Sequence, residues 1–386
     1  MTADSRWTRR EFLCVAAVGA AGAVVRGRVE PNAERLAYVG TYTNDGRSEG
    51  IYRLLLNTDT GALRLDGIAV KSANPSYLAI HPNGRVLYAV NELAEFQGKP
   101  TGGVSAFAIG ARDRLTLLNQ QESQGKAPCY VSVDRKGRFV FVANYTGGSI
   151  ASIPVRRDGG LSVARTVVNH KGTGPDPVRQ TSPHAHCILP DPSGRYVLAV
   201  DLGIDAILTY TLDEKTGAIT VSDTGAATKP GAGPRHLTFH ANGRFAYLAN
   251  ELDSTLSTFA YDAARGALEE IDVTAAAPGG TVQGNHPADI HVSPSGRHVY
   301  LSNRGEDTIA VFSIDASTGK VTPIEQVSTG GKSPRNFTLD PSGRWLLVAN
   351  QRSDSIVSFK VDPESGRLTP AGHQVEVATP VCVKFR

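Results

Sequence analysis

Neither sign of charge dominates this chain. Lys and Arg number 40 and Asp and Glu 37 over 386 residues, spread along the sequence rather than gathered into blocks. A nucleic-acid groove needs clustered basic side chains facing phosphate, so nucleic acid is excluded as a partner. Long apolar runs are scarce too. The one such stretch near the N-terminus, Val15 to Val25, is too short and too rich in Ala and Gly to span a bilayer. Cysteine is sparse, at four residues. There is no C-x-x-C-H haem attachment site, no phosphate-binding P-loop, no dinucleotide glycine fingerprint and no G-x-S-x-G nucleophile elbow. The Gly-Thr-Gly at 172–174 sits in a Pro-rich stretch and reads as loop. Glycine, by contrast, is plentiful at 40, with 22 prolines, which excludes a helix-rich protein. No G-x-y period accompanies it, so a collagen-like chain is excluded as well. A hydrophobic content of 40% is ample for a core.

The first residues stand apart from the rest. Arg9-Arg10 lie in Thr8-Arg9-Arg10-Glu11-Phe12-Leu13, directly before the small-residue apolar stretch. A charged segment followed by a short apolar one is an export leader, and the arginine pair points to the twin-arginine machinery as a partner. Ala21-Gly22-Ala23 suits cleavage after Ala23, giving a leader at 1–23, a linker at 24–35 and a single domain at 36–386. A periplasmic or extracellular location without stable membrane insertion follows. Cys129, Cys187 and Cys382 fall at similar places within apolar strands and are expected to be buried free thiols.

That domain is one motif repeated. A turn glycine precedes an apolar strand that stops at Asn or Asp: RVLYAVN after Gly84, RFVFVAN after Gly137, RYVLAVD after Gly194, RFAYLAN after Gly243, RHVYLSN after Gly296 and RWLLVAN after Gly343. A second strand family follows, seen in IYRLLLN at Ile51 and IVSFKVD at Ile356, and most copies run into a D-x-x-[ST]-G turn such as Asp213 to Gly217. Alternating apolar residues with β-branched and aromatic content indicate strands, and Gly and Asx supply the tight reversals. A third family begins just after a proline, from Ser76, Cys129, His184, Arg235, Ala288, Arg335 and Val381. Short strands in groups of four, about every fifty residues, predict an all-β propeller of four-stranded antiparallel blades. The final strand, Val381 to Phe385, has no successor, and Leu36 to Thr41 has no post-proline predecessor. Pairing the C-terminal strand with the N-terminal strands closes a ring of seven blades and leaves no free edge.

In this register the post-proline strands are innermost and line a channel. Their first residues, and the residue after the Asn of each next strand, should point to one end of it. Those positions hold unusual chemistry: His184 and His186 two apart on one strand, Arg235, Glu251 and Arg304. Glu92, His286, Arg335, Asn350 and Gln351 are candidates for substrate binding, with Asn285, Asp289, His291 and Asn336 nearby. His184 and His186 with His286, Asp289 or His291 offer ligand types for zinc or manganese, but no short-spaced third ligand completes a set and arginines repel a cation. No metal and no cofactor is expected.

Here the sequence resembles the seven-bladed-propeller lactonase family, which includes bacterial cofactor-free 6-phosphogluconolactonases and fungal carboxy-muconate lactonizing enzymes. The resemblance runs from Leu36 to Phe385 and is carried by SPHAH at Ser182 to His186 and GPRHLTFHANGRFAYLANE at Gly233 to Glu251. SNRGEDTIAVF at Ser302 to Phe312 and PRNFTLDPSGRWLLVANQ at Pro334 to Gln351 carry it further. It implies catalysis by a histidine of PHAH (His184 or His186), by Arg235 of GPRH, by Glu251 closing the next strand, and by Arg304 of NRG. It implies a small lactone or organic acid as substrate. Export makes an external aldonolactone or another small acidic lactone the better expectation than a phosphorylated one.

Lactone hydrolysis needs an activated water, support for a developing oxyanion and protonation of the ring oxygen. Imidazole suits the proton transfers. Arginine cannot give up its proton, so Arg235 and Arg304 are expected to bind the oxyanion or a substrate anion. Glu251 either orients the histidine or is itself the base. Ring closure by a lactonizing enzyme and plain binding of a small anion are the competing readings.

Overall fold

A computed structural model describes residues 34–277 and 283–386; the export leader expected at 1–23 lies outside the described residues. The first strand, Glu34–Thr41, begins two residues inside the stretch read as linker. The described residues form seven antiparallel sheets, six with four strands and one with a fifth short strand at its outer edge. Blade by blade the innermost strands are Pro380–Phe385, Leu78–Ile80, Pro128–Val133, Ala185–Pro190, Pro234–Phe239, His286–Val292 and Pro334–Leu339. They define blades one to seven. Blade one is composite: Pro380–Phe385 pairs antiparallel with Glu34–Thr41, bringing Val383 opposite Val39 and Lys384 opposite Tyr38. The fourth blade divides its outer edge between Ile219–Val221 and Ala226–Ala227, which both pair with Ala206–Leu212.

The apolar patterns follow from position in the blade. Second strands, such as Phe139–Asn144 and Trp345–Asn350, are buried at every residue because neighbouring blades cover both faces. They therefore read as continuous apolar runs. Outer strands are covered less, and Leu368–Glu376 is largely exposed.

Blades are joined by a recurring contact. The [DN]-x-x-[ST]-G turn of one blade sits on the aromatic residue that opens a second strand of the blade before it. Gly217 packs on Phe139, Gly319 on Phe245, and Gly61 on Trp345. The last of these joins blade one to blade seven, so the ring closes with the device used elsewhere in it. Trp345 Nε1 also donates to Thr58 O at 2.9 Å, and Ser358 Oγ donates to Gly61 O at 2.7 Å. Gly61 has φ +77°, and a Cβ there would fall inside the Trp345 ring, so glycine is required for backbone and for space alike.

Comparing two glycines isolates the packing part of this requirement. Gly372 has φ +74° with open space around it. Gly372→Ala should cost only its backbone strain, about 1 kcal/mol, whereas Gly61→Ala should cost about 3 kcal/mol because the indole must also move. Urea unfolding of the two variants checks this, and equal losses would mean that the indole contact carries no weight.

Candidate active site

The innermost strands enter their sheets through a shared irregularity. Pro128 lies opposite Asn144 and Tyr130 opposite Ala143, which leaves Cys129 as an extra residue. The same shift singles out Arg235 between Pro234 and His236, and Arg335 between Pro334 and Asn336. Such β-bulges re-aim a side chain, here toward one mouth of the channel. In the fourth blade the residue opposite the end of the second strand, Asp201, is Ala185, and the shift falls before Cys187. His186 therefore holds the place taken elsewhere by Arg235 and Arg335. His184 lies before the strand rather than on a shared face with His186. Its N–H donates to Asp201 Oδ1 at 2.7 Å, its Nδ1 is 3.0 Å from Tyr145 O, and its ring stacks on Tyr145.

A polar cavity of about 180 Å³ opens at this mouth. Glu92, Tyr145, Glu251 and Arg304 reach it from the ends of second strands, and Cys129, His186 and Arg335 from the bulges. Arg179 completes the wall from the long segment between Thr166–Asn169 and Ala185–Pro190. Sequence reasoning missed Arg179, which belongs to no repeat. The available signal was the length of its segment, since long structureless loops in compact domains are usually functional. Tyr145 and Cys129 occupy repeat positions that were recognised, but Tyr145 was not singled out and Cys129 was read only as a buried thiol.

Glu251 is the hub. Its Oε1 accepts from Arg179 Nη2 at 2.6 Å and its Oε2 from Arg304 Nη2 at 2.6 Å. Arg235 Nε lies 3.0 Å from Oε2 but off the line a hydrogen bond requires, so this third contact is an ion pair. Burial opposes ionisation of Glu251, yet Arg304, Arg235 and the surrounding positive charge hold its carboxyl well below the usual range. Burial draws Arg304 down to about 10, with Arg235 and Arg335 adding repulsion, so it stays charged at neutral pH. Arg235 is 2% exposed and does not line the cavity. The sequence-based expectation had placed it against the substrate; it lies behind Glu251, with Nη1 donating to Ala288 O.

His186 is buried, and its Nδ1 has no hydrogen-bond partner among the described residues. Burial, then the charge of Arg235, pushes its pKa well below the ordinary value, so the imidazole is neutral. Its ring meets Tyr145 and His236 edge-on, with centroids at 5.4 and 5.2 Å. On the opposite wall Glu92 Oε2 accepts from Tyr42 OH at 3.0 Å and from Ser76 Oγ. Arg335 lies over the Tyr42 ring at 5.6 Å and shows no ion pair among the described residues. Burial opposes its charge, but Tyr42, Glu92 and Glu251 raise its pKa.

Other sequence candidates lie outside this cavity. His286 lines a second hollow of about 390 Å³ that shares Arg304 with the first. Asn350 is fully buried and its Nδ2 donates to Thr329 O at 3.3 Å, so it ties adjoining segments together rather than facing substrate. Gln351 opens a 3-10 turn beside the cavity without lining it. Asn285 is buried against Ser254 and Asn303. Asp289, His291 and Asn336 lie deeper in the channel. Among the described residues no group of three or more His, Cys, Asp or Glu is placed to hold a metal ion. Cys129, Cys187 and Cys382 are buried free thiols.

Comparison with known proteins bears on this arrangement. The model of the family described as "Lactonase, 7-bladed beta-propeller" matches residues 36–385. A 6-phosphogluconolactonase of Bacillus subtilis (strain 168) is 42% identical over 297 residues, covering 77% of this chain and 82% of its own. A 6-phosphogluconolactonase of Formosa agariphila is 36% identical over 301 residues, covering 76% and 83%. The solved structure of the Pseudomonas aeruginosa periplasmic gluconolactonase PpgL superimposes with a TM-score of 0.84 at 34% identity, covering 91% of this chain and 99% of that one. With its seven blades and its match over nearly the whole propeller, the chain belongs to the seven-bladed β-propeller lactonase family, a family of hydrolases related to bacterial 6-phosphogluconolactonase.

Proposed function

We propose that this protein hydrolyses small, sugar-derived or acidic lactones by metal-free general acid–base catalysis, with His186 as the base. The observation that carries this reading is the His186 imidazole on the same cavity wall as guanidiniums locked around Glu251. Water held at the His186 imidazole attacks the lactone carbonyl carbon and gives its proton to the ring. The carbonyl oxygen becomes an oxyanion facing the donors of Arg304 and Arg335. Collapse breaks the bond to the ring oxygen, which takes the proton back from the imidazolium, and the hydroxy acid leaves. Of the two bases that the sequence left open, histidine is favoured because both oxygens of Glu251 are engaged by arginines. Glu251 then fixes the guanidiniums, and its negative charge supports the imidazolium while it exists. Glu92, with Oε2 engaged by Tyr42 and Ser76, is placed to accept from a substrate hydroxyl. Arginine on every side disfavours a catalytic cation.

Turnover of gluconolactone and 6-phosphogluconolactone by the purified chain, with and without EDTA, tests this. His186→Ala should lower kcat about 1000-fold, and Glu251→Gln should lower it about 100-fold by releasing the guanidiniums. Both lactones should still be hydrolysed in EDTA. Turnover lost to the chelator, or undiminished in His186→Ala, would sink the mechanism.

The pH profile gives a second check. A histidine held below its ordinary value of about 6.5 stays unprotonated and competent through that pH. The kcat/KM should therefore stay flat on going down from neutrality past about 6 and fall only in more acid solution. A half-fall near 6.5 would place the essential base in an ordinary environment, unlike that of His186.

Export is part of the proposal, supported by Arg9-Arg10 before the short apolar stretch and by the periplasmic description of PpgL. An exported lactonase would meet unphosphorylated aldonolactones. Replacing Arg9 and Arg10 with lysine should leave the protein in the cytoplasmic fraction; unchanged release would rule out the twin-arginine route.

A further inference from the structure

Beneath the cavity floor lies a second ring of buried side chains for which the mechanism has found no use. Each is the residue after a bulge: Tyr130 follows Cys129, His236 follows Arg235, and Asn336 follows Arg335. In the sixth blade the shift spans Pro287 to Ile290 and places Ala288 and Asp289 at the corresponding positions. Asp289 is 2% exposed and saturated with partners. Its Oδ1 faces His236 Nδ1 at 2.8 Å and accepts from Ile290 N at 3.1 Å. Its Oδ2 faces His291 Nε2 at 3.0 Å and accepts from Asn336 Nδ2 at 2.5 Å. Asn336 is itself pinned, since its Oδ1 accepts from Val383 N at 2.7 Å in the composite first blade.

The direction of hydrogen bonding follows. Asp289 carries a carboxylate: burial opposes this, but His291 and His236 beside it hold the acid well below its usual range. His236 is neutral, since burial and then Arg235 draw it down to about 3. A neutral imidazole has one N–H, and a carboxylate at 2.8 Å claims it for Nδ1. The lone pair is then on Nε2, which faces Arg235 Nη1 at 3.3 Å. Arg235 Nη1 also donates to Ala288 O, and its Nε contacts Glu251. The other tautomer would set an N–H against a guanidinium N–H, two donors in a buried space. Tyr130 and Tyr77 pack edge-on to the His236 ring and stack on each other at 4.2 Å, so the imidazole cannot swing away.

We propose that Asp289 and His236 are positioning residues for the lactonase site: Asp289 fixes the His236 tautomer, His236 Nε2 orients the Arg235 guanidinium, and Arg235 holds the carboxylate of Glu251 in register with Arg179 and Arg304. Only the kinetic consequence rests on the lactonase reading.

The test uses the mature chain and its Asp289→Asn, His236→Gln and His236→Phe variants, with thermal melting to verify folding. Long-range proton–nitrogen NMR spectra of the imidazoles should show His236 in the Nδ1–H form in wild type and not uniquely so in Asp289→Asn. The Arg235 Nε–H should exchange with solvent faster in Asp289→Asn. On gluconolactone, kcat should fall about 100-fold in Asp289→Asn and His236→Phe, as expected for displaced rather than deleted machinery, while KM stays within about 3-fold. His236→Gln retains a donor for Asp289 and an acceptor for Arg235, and it should return kcat to within about 5-fold of wild type. An Nε2–H tautomer in wild type overturns the proposal. So does a tautomer freed in Asp289→Asn without a loss of kcat, or His236→Gln as slow as His236→Phe, which would make the imidazole itself a participant. Should Asp289→Asn fail to fold, the wild-type spectrum and the His236 pair decide. If the wild type turns over no lactone, the proposed function fails, and the tautomer and Arg235 exchange still decide this point.

Discussion

The site is organised around one buried carboxylate. Glu251 is the meeting point of Arg179, Arg235 and Arg304, which come from three separate parts of the ring. Bringing that many charges out of water is costly, and buried ion pairs seldom return the desolvation they require. The cluster is thus poorly explained as a source of stability. What it does is concentrate positive charge: three arginines line a cavity that holds two carboxylates, Glu251 and Glu92, and Arg235 stands behind Glu251. Without Glu251 the guanidiniums would repel one another and seek solvent. With it they are held close together while their outer donors stay available, as oxyanion stabilisation demands.

The propeller makes such convergence possible by geometry. Strand ends and bulges of successive blades point at the same mouth, so several blades contribute side chains to a common centre. The bulge matters because a regular ladder alternates side chains between faces, whereas the extra residue turns Cys129, His186, Arg235 and Arg335 toward the mouth. Closure of the ring bears on the site as well. Val383 N, in the strand contributed by the C-terminus, pins Asn336, which holds Asp289. The seam of the fold is thereby joined through backbone and amide to the floor of the cavity.

The architecture was largely legible because its determinants are local and repeated. Turn glycines, apolar second strands and the orphan strands at the two ends suffice to count blades and to pair Pro380–Phe385 with Glu34–Thr41. The site was legible to the extent that it lies on the repeat: Glu92, Glu251, Arg304 and Arg335 all reach the cavity from anticipated positions. Three things were not. Arg179 comes from a segment without periodicity. Arg235 occupies an expected position, but whether a guanidinium stands before or behind a carboxylate depends on packing depth, which sequence spacing does not encode. Which of His184 and His186 lines the cavity turned on register: the proline that marks strand entry in other blades has slipped two residues ahead of Ala185 in the fourth, and a pattern anchored on proline cannot see that slip.

Burial acts on this site in two opposing ways. Tyr77, Tyr130 and His236 pack together below His186. That packing depresses the basicity of His186, which weakens it as a proton acceptor. The same low dielectric strengthens every interaction between a guanidinium and a developing negative charge. A lactone is an activated ester whose ring opening asks little of the base and much of whatever stabilises the oxyanion. On the proposed mechanism, a site that gives up imidazole basicity for stronger fixed positive charge is matched to that demand, and poorly matched to reactions that must remove a proton from carbon.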